Sequence, residues 1–186
     1  MIHEKVDKMS LNTSAIRTSF NAVAPQADRL AARFYEKLFA DHPRLKPLFA
    51  ATDLADQRRK LVGALSMIVG SLDKPQQLSR YLGRLGQQHV AYGVTEQDYA
   101  PVGGTLLAVL GEIAGPEAWT AEVQAAWSEA IAAVAGLMLG GAAQIKNEAP
   151  STESLHRTKD DAGELLVGAS APGKRPGATV SHVANR

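Results

Sequence analysis

Between Leu11 and Lys146 the apolar residues recur every three to four positions, the period of a helix that buries one face. Ile16, Phe20 and Val23 mark a first helix over 14–23. Pro25 suits the first turn of a second, APQADRLAARFYEKLFADHP, which Pro43 stops. After the short stretch RLKPLF, a third helix is expected over 54–72, with Leu54, Leu61, Leu65, Ile68 and Leu72 on one stripe. Pro75 opens a fourth, which Gly93 closes as the residue just past its end. Thr95, with Asp98 three residues on, has the spacing of a capping box for a fifth helix running to about Ile113. Gly115-Pro116 breaks that helix, and Thr120 caps a last one ending near Ile145. β-Branched runs are scarce and no internal repeat is visible, so the expected fold is all-α, with six to seven helices and short connections.

Chemistry is best sought where a polar residue interrupts an apolar stripe, because an unpartnered buried polar group costs about 1–3 kcal/mol. On a wheel turning about 100° per residue, with Leu78 at the origin, Leu82 falls near 40°, Leu85 near 340°, His89 near 20° and Tyr92 near 320°. His89 thus interrupts the buried face of the fourth helix. A histidine there can be a core residue bonded to a carbonyl. It can also be a metal ligand, but no His, Asp or Glu accompanies it at i+3 or i+4 to build a zinc site. A single imidazole on an apolar wall suits haem, whose porphyrin supplies the four in-plane ligands. On the third helix Gln57 and Arg58 flank Leu61 at the edges of the stripe, and either can face inward or be solvated. In the second helix Tyr35 shares a face with Ala31, Leu38 and Phe39, which puts a hydroxyl into the core.

Composition narrows the classes further. The 186 residues carry 20 basic and 19 acidic side chains, a formal charge of +1, with no basic excess to suggest nucleic-acid binding. No uninterrupted apolar run approaches the roughly 18 residues of a membrane span, and the charged start MIHEKVDKMS lacks the apolar stretch of a secretory signal. With no cysteine there are no disulfides, thiolate metal sites or cysteine nucleophiles, which suits a cytoplasmic location. All ten aromatic residues lie between Phe20 and Trp127. From Asn147 onward the chain is rich in Ser, Thr, Gly, Pro and mixed charge, and residues 147–186 are expected to form a mobile low-complexity tail beside a domain spanning 11–146. The tail's GASAPGKR nearly spells a phosphate-binding loop. Arg175 replaces the metal-binding Ser or Thr, however, and Pro176 stands where a helix should open, so the match reads as coincidence.

The strings FYEKLFADHPRLKPLF, DQRRKL and LGQQHVAYGVTEQDYAPVG, in that order, resemble bacterial single-domain globins and the haem domain of flavohaemoglobins. The resemblance implies a globin fold around haem b, with His89 as the iron ligand. It implies Tyr35 and Gln57 as donors to a gas on the opposite side, with Phe49, Leu61, Val94, Tyr99 and Val102 in contact with the cofactor. Flavohaemoglobins also carry a glutamate in the last helix that, with the tyrosine matched by Tyr99, polarises the histidine, and Ala142 stands at that position here. A reductase domain like theirs is not expected in the 40-residue tail. The implied function is reversible binding of oxygen, with nitric oxide as a second ligand, in a monomer or homodimer without nucleic-acid or membrane partners. The alternatives are nitric oxide dioxygenation with a separate reductase, and gas sensing or haem handling.

Overall fold

The computed structural model describes residues 11–148, and the near phosphate-loop motif and most of the expected tail lie outside them. Six α-helices follow one another: α1 (Thr13–Val23), α2 (Ala27–Asp41), α3 (Leu54–Gly70), α4 (Pro75–Ala91), α5 (Tyr99–Ala114) and α6 (Ala121–Glu148). Short 3-10 turns occupy Ala24–Gln26, Pro43–Phe49 and Glu96–Asp98, and the described residues contain no strand.

Local chemistry sets most boundaries. The Asn12 side chain caps α1 by accepting from the Ala15 amide at 3.0 Å. Pro25 sits in the 3-10 turn that precedes α2 rather than in α2 itself. Asp53 caps α3 by accepting from the amides of Ala55 and Asp56. The capping box at Thr95 and Asp98 forms, and it closes the 3-10 turn that leads into α5. Gly93 adopts φ 81°, the left-handed conformation glycine tolerates, and turns the chain out of α4. α4 stops at Ala91, so Tyr92 leaves the wheel that placed it on the buried face, and it is 66% exposed. α6 continues through Asn147 and Glu148, two residues past the expected end of the domain.

The core forms where α1, α2, α5 and α6 converge on Ile16, Phe34, Leu38, Val109, Leu110 and Trp127. Its one cross-helix polar link is satisfied in series: Trp127 Nε1 donates to Ser19 Oγ at 2.9 Å, and that hydroxyl donates to the Ala15 carbonyl at 2.7 Å. α6 qualifies by length and composition as a membrane span over Ala121–Gln144, at a mean hydropathy of 1.4, despite Glu122 and Glu129. Its Ala126, Trp127, Ala130, Met138 and Ala142 are buried against neighbouring helices, and a third of that apolar stretch is covered in this way.

One pairing in the bundle is unusual. α3 and α4 are joined only by the turn 71–74, a connection that ordinarily folds two helices into a hairpin. Here α3 packs on α2 and α1, α4 packs on α6, and the two hardly touch each other. A cleft is left between them.

Candidate haem site

Tyr35 is held on α2 by aromatic packing. It is 4% exposed and its ring is flanked by Phe34, Phe39 and Phe49, with centroids 5.0, 5.9 and 5.6 Å away. Burial raises its pKa above the ordinary tyrosine value, and the nearby Gln57 amide partly offsets that. The phenol therefore keeps its proton at neutral pH and remains a donor. Gln57, from the first turns of α3, sits beside it as a neighbour rather than as a tightly bonded partner. The ambiguity at the edge of the α3 stripe is resolved by packing: Gln57 is half-buried and Arg58 is exposed. One turn after Gln57, Leu61 packs on the core, as does Phe49 at the end of the 3-10 turn.

On the other side of the cleft, His89 is half-buried in the last turn of α4. Its Nδ1 lies 2.8 Å from the Leu85 carbonyl, which can only accept, so Nδ1 carries the proton and Nε2 keeps its lone pair. Burial lowers the pKa of the ring below its ordinary value, against a smaller opposing effect of the Leu85 carbonyl. The imidazole is thus neutral, with the nitrogen that metals require free. Tyr99, the first residue of α5, stacks obliquely on it at 6.4 Å, and burial raises the Tyr99 pKa. Val94 is half-buried in the loop between them, and Val102 lies one turn into α5 with 36% of its surface exposed. Ala142 is buried in α6, so that position supplies no carboxylate.

Two features were not foreseen. α4 and α6 touch backbone to backbone: a Cβ at Gly86 would collide with the Met138 carbonyl, and one at Gly141 with the Gly83 carbonyl. The spacing of Gly83 and Gly86 at i and i+3 was a visible signal for that approach. An ion pair between Arg44 and Asp98 also joins the two sides of the cleft, and nothing local in the chain announces it. A surface groove of about 430 Å³ lies elsewhere, between Lys37 and His42 near the end of α2 and Pro101 and Thr105 of α5.

These residues fit haem on the chemistry of the donor set. Two helices stand apart, one carrying a neutral imidazole with Nε2 free and the other bringing an amide next to a protonated phenol. The globin family model matches residues 32–138, and the chain belongs to the globin family, whose members bind haem. It is 33% identical over 131 residues to a flavohemoprotein of Rhodopirellula baltica, covering 69% of this chain and 32% of that one. It is 32% identical over 115 residues to a flavohemoprotein of a Burkholderia species, covering 61% and 29%. The chain therefore spans about a third of the length of these curated relatives. An engineered carbene transferase derived from a candidate nitric oxide dioxygenase of Rhodothermus marinus superposes with a TM-score of 0.68 at 27% identity, covering 76% of this chain and 98% of that one. A bacterial globin from Campylobacter jejuni matches at 0.64 with 21% identity, covering 73% and 96%, which shows the fold alone.

Proposed function

We propose that this globin holds haem b between α3 and α4 and binds oxygen reversibly, with nitric oxide as a second ligand, in the cytoplasm. The observation that carries the reading is the 2.8 Å contact between His89 Nδ1 and the Leu85 carbonyl, because it presents Nε2 unprotonated from a neutral ring. Haem, when bound, would supply an iron able to take a diatomic gas. The chain's own contribution to holding that gas would be two donors, the Tyr35 hydroxyl and the Gln57 amide. Each hydrogen bond to the gas contributes about 1.4 kcal/mol, which slows its escape about tenfold. Leu61 and Phe49 shield those donors from water, and Val94, Tyr99 and Val102 offer carbon surface to the porphyrin.

A second reading is nitric oxide dioxygenation, in which oxygen and nitric oxide become nitrate and a separate reductase supplies the electron. The Tyr35–Gln57 pair and the likeness to a candidate nitric oxide dioxygenase favour it. Against it stands the proximal side, where His89 donates to a backbone carbonyl rather than to a carboxylate and Ala142 leaves Tyr99 without an acid at the matched position. A neutral acceptor makes the imidazole a weaker electron donor, which favours holding oxygen over cleaving it.

Absorption spectra of the wild-type protein and His89→Ala, each supplied with haem, test the reading. A Soret band of a histidine-ligated haem is expected from the wild type and should be lost in the variant. A wild type without that band overturns the proposal. Nitrate production sustained over many turnovers with a reductase would favour the second reading; one turnover ending in ferric protein would favour the first.

A further inference from the structure

Arg44 and Asp98 lie in segments that the haem site uses, but neither belongs to the site described above. Arg44 is in the 3-10 turn Pro43–Phe49, which ends on Phe49. Asp98 ends the loop that leaves α4 after His89, passes through Val94 and enters α5 at Tyr99. Arg44 Nη1 donates to Asp98 Oδ1 at 2.6 Å, and Nη2 donates to the Gln97 carbonyl at 3.1 Å. The other carboxylate oxygen, Oδ2, accepts from the Thr95 amide at 2.8 Å and the Thr95 hydroxyl at 2.7 Å. The Asp98 side chain is 7% exposed and that of Arg44 is 53% exposed.

A carboxylate so well buried at the edge of a fold is costly unless every oxygen is engaged, and here both are. One oxygen organises the loop and the other ties that loop to a segment 54 residues earlier in the chain. The same segments also come near each other beside it: a Cβ added at Gly93 would stand 3.8 Å from Leu48 Cδ2. The two segments therefore lie close together at this edge, and the hydrogen bonds of Arg44 are what joins them. Each carries one of the expected porphyrin contacts, Phe49 on one and Val94 on the other.

We infer that Arg44 is a positioning residue of the haem cleft: through Asp98 it clamps the Phe49 segment to the Val94 loop and so sets how fast haem leaves. The inference rests on the haem reading above. With the clamp closed, the two segments cannot part at this edge without breaking charge-assisted hydrogen bonds, which are the stronger kind. Because Arg44 is half-exposed and at the surface, its loss should leave the helical core intact.

The test is transfer of haem from the ferric holoprotein to excess apomyoglobin, followed at the Soret band. Arg44→Met keeps the stem and removes both donors, and should release haem about tenfold faster, equivalent to about 1.4 kcal/mol. Arg44→Lys restores the charge but not the second donor, and should fall between the two. The urea midpoints of both apoproteins should match the wild type. In Arg44→Met apoprotein the amides of residues 93–98 should exchange with solvent faster than in wild type. A wild-type rate of haem transfer from Arg44→Met would overturn the inference. Should the wild type show no Soret band, the haem reading fails by itself, and unchanged exchange at 93–98 in the apoprotein would then overturn the clamp.

Discussion

The two sides of the cleft are built on opposite principles. On one side Tyr35 is positioned by bulk, with three phenylalanine rings around it and α3 laid across α2 through large side chains. On the other side His89 is positioned by the lack of bulk: α4 rests on α6 through glycines, and the imidazole is oriented by a carbonyl of its own helix. Side-chain packing can relax when one group changes, because rotamers shift and neighbours follow. Backbone contact has no such freedom. The donor side should therefore tolerate substitution, and the ligand side should not.

Two glycine-to-alanine changes put that contrast to its hardest trial. Gly86→Ala drives a Cβ into the Met138 carbonyl and should destabilise the protein by about 1–3 kcal/mol, as overpacking does. Gly63→Ala, in α3, meets nothing within 4 Å and should stabilise by up to about 1 kcal/mol through helix propensity alone. Urea unfolding of the two apoproteins measures both, and equal values would mean that α4 and α6 are not in backbone contact. A smaller effect is expected on the donor side. Tyr35→Phe keeps the ring and its packing, so unfolding should change little while oxygen dissociates about tenfold faster, as stopped-flow displacement would show. An unchanged rate would mean that the hydroxyl does not reach the gas.

The smallest effect is a pH dependence belonging to His89. Its pKa is lowered on folding, so the unfolded chain binds the proton more readily than the folded one. That difference favours folding fully above the ordinary histidine value of about 6.5, and it is lost as pH falls from there toward the lowered folded value. The stability of the wild-type apoprotein should decline across that window, and His89→Leu should flatten the decline. A parallel decline in both proteins would assign it to other groups.

Much of this was legible along the chain because it depends on neighbours a few residues apart. The positions of Pro75 and Thr95 at element boundaries follow from proline geometry and capping that any helix obeys. The placement of His89 on a buried face follows from helical period, and the choice between Gln57 and Arg58 does not, since both sit at the rim of one stripe. Tyr92 illustrates the limit of the wheel. The period is valid only while the helix lasts, and α4 ends at Ala91, one residue too early to bury Tyr92.

Local sequence thus specified the helices, their ends, and the residue types able to ligate iron and donate to a gas. The fold alone decided that α3 and α4 stand apart instead of pairing, that α4 lies flush on α6, and that Arg44 reaches Asp98 across 54 residues. The reason is range. Capping and helical period act over one or two turns, whereas the width of a cleft is fixed by which distant surfaces have the shape and charge to meet, and those surfaces exist only once the chain has folded.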